Sequence, residues 1–305
     1  MVQTVNSGSK DLQNTVFVVF SFKLTHLITI YKKRLFTMYP FQSYYLDQPL
    51  IKGRVFDVFE AAPGVPVQDI AIFFVHGGGW TAGSRTGFHP LMEAFGKLGY
   101  ITATADYRLS GVTAFDQLAD IRKSFDCFVD ILKKRNHPCR IAVHGSSAGA
   151  HLASLMVCAK PGELGEKNDE LKYPDFRVEK AFLQATPYDF KPWEAMMPQF
   201  WKQMQGIAGA SYEKDPERFE RLSLSNLIRE DNPQLFFMEA GFEYIFPSDL
   251  TLKIARQHRA MNIKSHWKVY DRMEHGFFYE LKRQMQLQAF DDICAFLQDR
   301  LETDF

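Results

Sequence analysis

Cysteine is scarce: four residues in 305, none of them in a C-x-x-C pair. Cys127, Cys139, Cys158 and Cys294 lie in strand-like or helix-like stretches, so they read as buried free thiols rather than a disulfide frame or a zinc site. That points to a reducing, cytoplasmic compartment. Net charge is missing too, because 36 basic residues balance 36 acidic ones, and the basic surplus that marks a nucleic-acid partner is not there. No H-x-x-x-H or comparable carboxylate spacing occurs, so nothing indicates a catalytic metal. Long apolar runs are lacking as well. Val16–Phe22 is apolar, but Lys23 interrupts it well before the ~20 residues that a membrane-spanning helix requires.

The first forty residues follow no familiar targeting pattern. A secretory signal carries positive charge ahead of its apolar run, whereas here Lys10 is offset by Asp11 and the basic cluster Lys32-Lys33-Arg34 comes after the run. A signal or interfacial anchor is therefore the weaker reading. Met38 is a candidate start of translation. The expected organisation is an atypical N-terminal extension, 1–37, followed by one domain, 38–305; 46% apolar and 24% charged residues suit a single large core.

What the sequence does have is two glycine-rich signatures. Arg140-Ile141-Ala142-Val143-His144 reads as a short buried strand and Ala150–Met156 as a helix, which leaves Ser147 of Gly145-Ser146-Ser147-Ala148-Gly149 on the turn between them. Gly145 and Gly149 make room for a sharp strand-to-helix bend, and the helix N-terminus favours negative charge beside the serine hydroxyl. The other signature, His76-Gly77-Gly78-Gly79-Trp80, follows Asp69–Val75, a run apolar on both faces as in the centre of a parallel sheet. Its glycines expose backbone N–H groups of the kind that stabilise an oxyanion, and Gly78, Gly79 and Ala148 are the candidate donors. Neither a Lys-Ser/Thr pair nor a G-x-G-x-x-G spacing accompanies it, which argues against a phosphate loop.

With Ala105-Asp106-Tyr107-Arg108-Leu109, Ser147-Ala148-Gly149-Ala150-His151-Leu152-Ala153 and Met273-Glu274-His275-Gly276-Phe277 in the same order, the chain resembles the α/β-hydrolase superfamily from Val55 to Leu301. Within it, the hormone-sensitive-lipase-like and acetyl-esterase group carries the same motifs. The resemblance implies an α/β-hydrolase fold, a mostly parallel sheet flanked by helices with a helical cap insertion. It also implies a Ser-acid-His triad, hydrolysis of short-chain carboxylic esters through an acyl-enzyme, and no cofactor. The partner it implies is a small-molecule ester.

The remaining pattern fills that frame. Arg54–Glu60, Tyr100–Ala105 and Lys180–Ala185 read as strands and Phe115–Arg135 as an amphipathic helix. An interval at about 187–233 then breaks the alternation and carries Trp193, Met196, Met197, Phe200, Trp201 and Met204. Those side chains either pack the insertion into the core or form the apolar face of a cap over the site. Strands resume at Gln234–Ala240 and Ser265–Tyr270. His275, on the loop after the second, is the candidate base, because a histidine near neutral pKa can take the serine proton and return it to a leaving alcohol. His76, His144 and His151 read as bracing or packed residues.

The acid departs from the family. Relatives place an aspartate three residues after the glycine that ends the strand, but Tyr244 stands there, with Glu243 one step earlier and Asp249 five later. Position favours Glu243, since Asp249 also suits the first turn of a helix over Leu250–Arg259. Asp106 and Arg108 are expected to neutralise each other or the glycine loop. Two other functions stay open: an arylformamidase-type amide hydrolase, which shares the motif style, and a hydrolase-like binding protein without activity, which a displaced acid would suit.

Overall fold

The computed structural model describes residues 3–6, 39–193 and 196–305, so the apolar stretch 16–22, the cluster 32–34 and Met38 lie outside the described residues. The chain runs β1 (Gln3–Asn6), β2 (Phe41–Tyr45), β3 (Val55–Phe59), β4 (Ile70–Val75), α1 (His89–Gly96), β5 (Thr102–Ala105), α2 (Ala114–Lys134), β6 (Arg140–Ser146), α3 (Ala148–Cys158) and β7 (Lys180–Gln184). It continues with α4 (Pro198–Ala208), α5 (Pro216–Arg221), β8 (Gln234–Phe242), α6 (Ser248–Ala260), β9 (His266–Glu274) and α7 (Gln284–Leu297).

All the strands join one sheet in the order β1-β2-β3-β5-β4-β6-β7-β8-β9. β1, β2 and β3 pair antiparallel at one edge, and every pairing from β5 to β9 is parallel. The chain leaves β4 toward β5 on one side and returns to β6 on the other, so the order reverses between β4 and β6. Loops leaving the carboxyl ends of two such strands diverge and open a crevice, the usual ligand site of an open α/β sheet.

Successive residues of a strand face opposite sides, and both sides here are apolar. Ala71, Phe73, Val75, Ile141 and Val143 pack with residues of α2, α3 and α6, whereas Ile70, Ile72, Phe74 and Ala142 pack with α1 and α7. Burial on both faces explains the unbroken apolar runs of β4 and β6. α2 begins where the sequence permits it: Thr113 and Asp116 cap each other's backbone N–H groups, a reciprocal box that satisfies two otherwise orphaned donors. α3 is apolar on nearly all sides and is correspondingly enclosed.

Two expectations need correction. Only Cys158 is buried; Cys127, Cys139 and Cys294 are half-buried, and all four are free thiols. β8 and β9 also run beyond the expected Ala240 and Tyr270, to Phe242 and Glu274. The register shifts between Ala240 and Phe242, with Ala240 opposite Tyr270 but Phe242 opposite Glu274. Asp271, Arg272 and Met273 therefore bulge, Arg272 with φ of 55°, and no hydrophobic period announces a bulge.

Candidate active site

Each expected site residue leaves the carboxyl end of a parallel strand. Ser147 directly follows β6 in a backbone conformation, φ 53° and ψ −122°, that a non-glycine residue adopts only under constraint. The constraint is steric and polar at once. A Cβ on Gly149 would run into the carbonyls of Val75 and His76, so α3 can begin hard against β4 only with glycine there, while the Ser147 N–H donates to the Gln184 carbonyl at 2.8 Å. The serine side chain is thereby held clear of the sheet, at the N-terminus of α3.

The loop after β4 is gripped at nearly every peptide. The Tyr107 hydroxyl donates to the His76 carbonyl at 2.8 Å, and the Gly77 N–H on the same peptide donates to the Tyr279 hydroxyl at 2.8 Å. His76 Nδ1 lies 2.8 Å from the Gly77 carbonyl, its ring stacked on Tyr107. The N–H groups of Thr81 and Ala82 donate to Gly78 O, and Gln117 Nε2 donates to Trp80 O at 2.7 Å. Among the hydrogen bonds of the described residues, none is donated by the N–H of Gly78, Gly79 or Ala148. Gly78 has φ of 122° and a Cβ there would collide with the Ala82 carbonyl, so the loop's path requires glycine at that position.

His275 directly follows β9 and meets both expected neighbours. Its Nε2 is 2.9 Å from Ser147 Oγ and its Nδ1 is 2.8 Å from Glu243 Oε2. A proton on Nδ1 donated to the carboxylate leaves Nε2 to accept the serine hydroxyl proton. Glu243 reaches this place because β8 continues past Gly241, and the loop then wraps around the carboxylate: Oε1 accepts from the N–H groups of Tyr244, Ile245 and Phe246 at 3.1, 2.8 and 3.4 Å. The side chain is only 3% exposed, and burial alone would raise its pKa, yet bonding to His275 and to those N–H groups holds the carboxyl below its ordinary value. Asp249 is exposed in the first turn of α6, on the helix side of Pro247.

A second carboxyl lies one strand-turn away. Glu239 on β8 is fully buried, accepts from the Thr251 hydroxyl at 2.7 Å, and is pushed up to about 8, chiefly by burial and further by the charge of Glu243. It is protonated in the folded protein at neutral pH but ionised in the unfolded chain. The folded state therefore binds the extra proton between the two pKa values, and stability falls as pH rises from 4.5 through about 8. Glu239→Gln removes this titration while keeping an acceptor for Thr251. Urea unfolding of both proteins at acid and mildly alkaline pH is expected to show the variant gaining on wild type as pH rises, by an amount on the order of a few kcal/mol. Parallel pH dependences would contradict it.

The other histidines sit where they cannot act as the base. His144 Nδ1 donates to the Phe182 carbonyl and the ring is pushed down to about 3 by full burial; His151 accepts from Trp80 Nε1, donates to Leu222 O and is pushed down to about 4, again by burial. Asp106 and Arg108 do not pair with each other, but Asp106 reaches the glycine loop, its Oδ1 lying 3.6 Å from His76 Nε2. Asp106 accepts from the N–H and guanidinium of Arg85, which also binds buried Asp57, while Arg108 binds Asp120 on α2. Both residues lie past the end of β5, where the loop and not a strand pleat directs the side chains, and each finds a partner that only the tertiary fold supplies.

The insertion between β7 and β8 carries α4 and α5. Met204 is buried in the core and Trp201 packs on Tyr212 and Phe219, as the structural account of these side chains expects. Phe200 bridges the two halves of the site, its ring 6.0 Å from Trp80 of the glycine loop and 5.2 Å from Phe246, which lies 5.6 Å from His275. Trp193, Met197, Phe200 and residues 243–247 line a cleft of about 180 Å³ that takes in Glu243 but neither Ser147 nor His275. Larger hollows, of about 580 and 630 Å³, are lined by none of Ser147, Glu243 or His275.

A mostly parallel sheet wrapped by helices, with a serine elbow after β6 and a histidine loop after β9, defines an α/β-hydrolase fold. The chain belongs to the BD-FAE family, whose model matches residues 62–253. It is similar to the probable carboxylic ester hydrolase LipM of Mycobacterium tuberculosis, 32% identical over 127 residues, covering 39% of this chain and 28% of LipM. It is also similar to esterase LipQ of the same organism, 26% identical over 183 residues, covering 57% of this chain and 42% of LipQ. The match thus spans less than half the length of either relative. Among solved structures, Thermogutta terrifontis esterase 2 phosphonylated by sarin superposes with a TM-score of 0.66 at 18% identity, covering 82% of this chain and 92% of that one. Among the described residues no helix is long and apolar enough to cross a membrane.

Proposed function

We propose that the protein is a cofactor-independent serine carboxylesterase acting on small esters. The observation that carries this is the unbroken hydrogen-bond line Glu243–His275–Ser147 beside three backbone N–H groups that donate to no partner among the described residues. In the proposed reaction His275 Nε2 takes the Ser147 proton as Oγ attacks the ester carbonyl. The N–H groups of Gly78, Gly79 and Ala148 receive the charge that develops on oxygen. His275 then protonates the leaving alcohol, and a water activated by the same nitrogen cleaves the acyl-enzyme. Glu243 keeps the imidazole oriented and stabilises its charged form.

The names of the similar proteins support ester chemistry: LipM and LipQ are called an ester hydrolase and an esterase, and the Thermogutta enzyme is also described with butyrate bound. The displaced acid was the argument for a binding protein without activity, and the 2.8 Å contact of Glu243 with His275 weakens it. Four free thiols suit a reducing compartment, so a cytoplasmic location remains the reading. The narrow aromatic cleft at α4 favours short acyl groups, and the insertion over 187–233 acts as a cap. With p-nitrophenyl esters, kcat/KM is expected to fall at least ~10-fold between butyrate and octanoate, because a cleft of about 180 Å³ has little room for the added methylenes. Rates that climb with chain length would contradict a short-acyl site, and N-formyl aromatic amines turned over faster than any ester would favour the formamidase reading.

A further inference from the structure

One grip on the glycine loop comes from the insertion rather than from the sheet. Peptide 76–77 is held by Tyr107 and Tyr279, 77–78 by His76, 78–79 by the N–H groups of Thr81 and Ala82, and 80–81 by Gln117 of α2. Peptide 79–80 is held by Gln203 of α4, whose Nε2 donates to the Gly79 carbonyl at 2.6 Å and lies 3.3 Å from the Thr81 hydroxyl. This is also the strained peptide of the loop. Gly79 has φ of 56° and Trp80 has φ of 61°, so a bulky residue sits in the left-handed region that side chains ordinarily avoid. Such a conformation persists only where its surroundings over-determine it.

The Gln203 amide lies directly over Gly79, close enough that a Cβ there would meet Nε2 at 2.5 Å. One turn earlier on the same face of α4, Phe200 packs on Trp80 and on Phe246, which in turn reaches His275. Seating α4 thus touches both sides of the site.

Resting on the esterase reading, we propose that Gln203 is a positioning residue: its amide holds the strained Gly79–Trp80 peptide, and the seated insertion thereby keeps the Gly79 N–H aimed at the oxyanion. Without that bond the peptide can turn toward a relaxed conformation and carry Gly79 with it. The effect belongs to the transition state, because the charge on oxygen develops only there.

Gln203→Glu keeps the size of the side chain but offers the Gly79 carbonyl no N–H and sets a carboxylate against it; Gln203→Ala removes the contact outright. Steady-state kinetics with p-nitrophenyl acetate is expected to show kcat lowered ~10-fold or more in both, up to the ~10²–10³ that loss of a whole oxyanion donor costs. KM stays within about twofold, and phosphonylation of Ser147 slows in step with kcat. Gln199→Glu, on the exposed side of α4, keeps wild-type kinetics. A role in packing alone would raise KM or lower the melting temperature and leave kcat in place. Unchanged kcat in Gln203→Glu, with active wild type, overturns this inference alone; wild type that neither turns over ester nor takes the phosphonate overturns the esterase reading and the inference with it.

Discussion

Ser147→Ala is expected to lower ester turnover by ~10⁴- to 10⁶-fold, with substrate affinity nearly unchanged. Among the described residues Ser147 supplies the oxygen hydrogen-bonded to His275 Nε2, at 2.9 Å, and alanine leaves the base with nothing to deprotonate except water. Residual hydrolysis from the oxyanion donors and from binding sets the floor. The fold should survive, and with a margin. Ser147 carries a positive φ that costs on the order of 1 kcal/mol or more in any non-glycine residue, and alanine inherits the same backbone without adding bulk. Turnover of a p-nitrophenyl ester, with the melting temperature as a control for folding, checks both statements. Near-normal turnover in a folded variant would mean that another group is the nucleophile.

Glu243→Gln is expected to cost ~10⁴ in kcat, and Asp249→Asn to leave it within about twofold. The amide can still accept from Tyr244, Ile245 and Phe246 through its oxygen, so the loop keeps its shape. Its NH₂ then faces His275 Nδ1. Two donors cannot share a bond, so the imidazole adopts the tautomer with its proton on Nε2, and that nitrogen no longer accepts from Ser147. The loss is one of protonation state rather than of contact, which is why the conservative amide is the informative substitution. Asp249 only faces the N-terminal end of α6, where a carboxylate adds roughly 0.3–1 kcal/mol. Loss of turnover in Asp249→Asn but not in Glu243→Gln would reverse the assignment.

The fold was legible because its central strands are apolar on both faces and its turns carry residues with few alternatives. Ser147 and His275 were legible for the same reason: glycines bracket the one, and a strand followed by glycine frames the other. Glu243 was harder. An acid after β8 was expected, but which carboxylate meets His275 depends on how far the strand runs beyond Gly241 and on the bulge opposite it, and neither leaves a periodic trace. The contact of Asp106 with the glycine loop was expected, but its pairing with Arg85 and that of Arg108 with Asp120 were not, since ion pairing between distant segments is settled by the fold and not by nearness in sequence. Tyr279, Gln117 and Gln203 were not anticipated. A lone glutamine on an amphipathic helix carries no signal of its own, and the only available hint was the glycine run itself, whose freedom demands holders from outside.

The most direct test of the account is covalent. Wild-type protein treated with a fluorophosphonate and digested for mass spectrometry is expected to carry a single adduct, on the peptide containing Ser147, with no adduct in Ser147→Ala and slow labelling in Glu243→Gln. A folded wild-type protein that takes no adduct, or one whose label persists in Ser147→Ala, would contradict a nucleophile driven by Glu243 through His275.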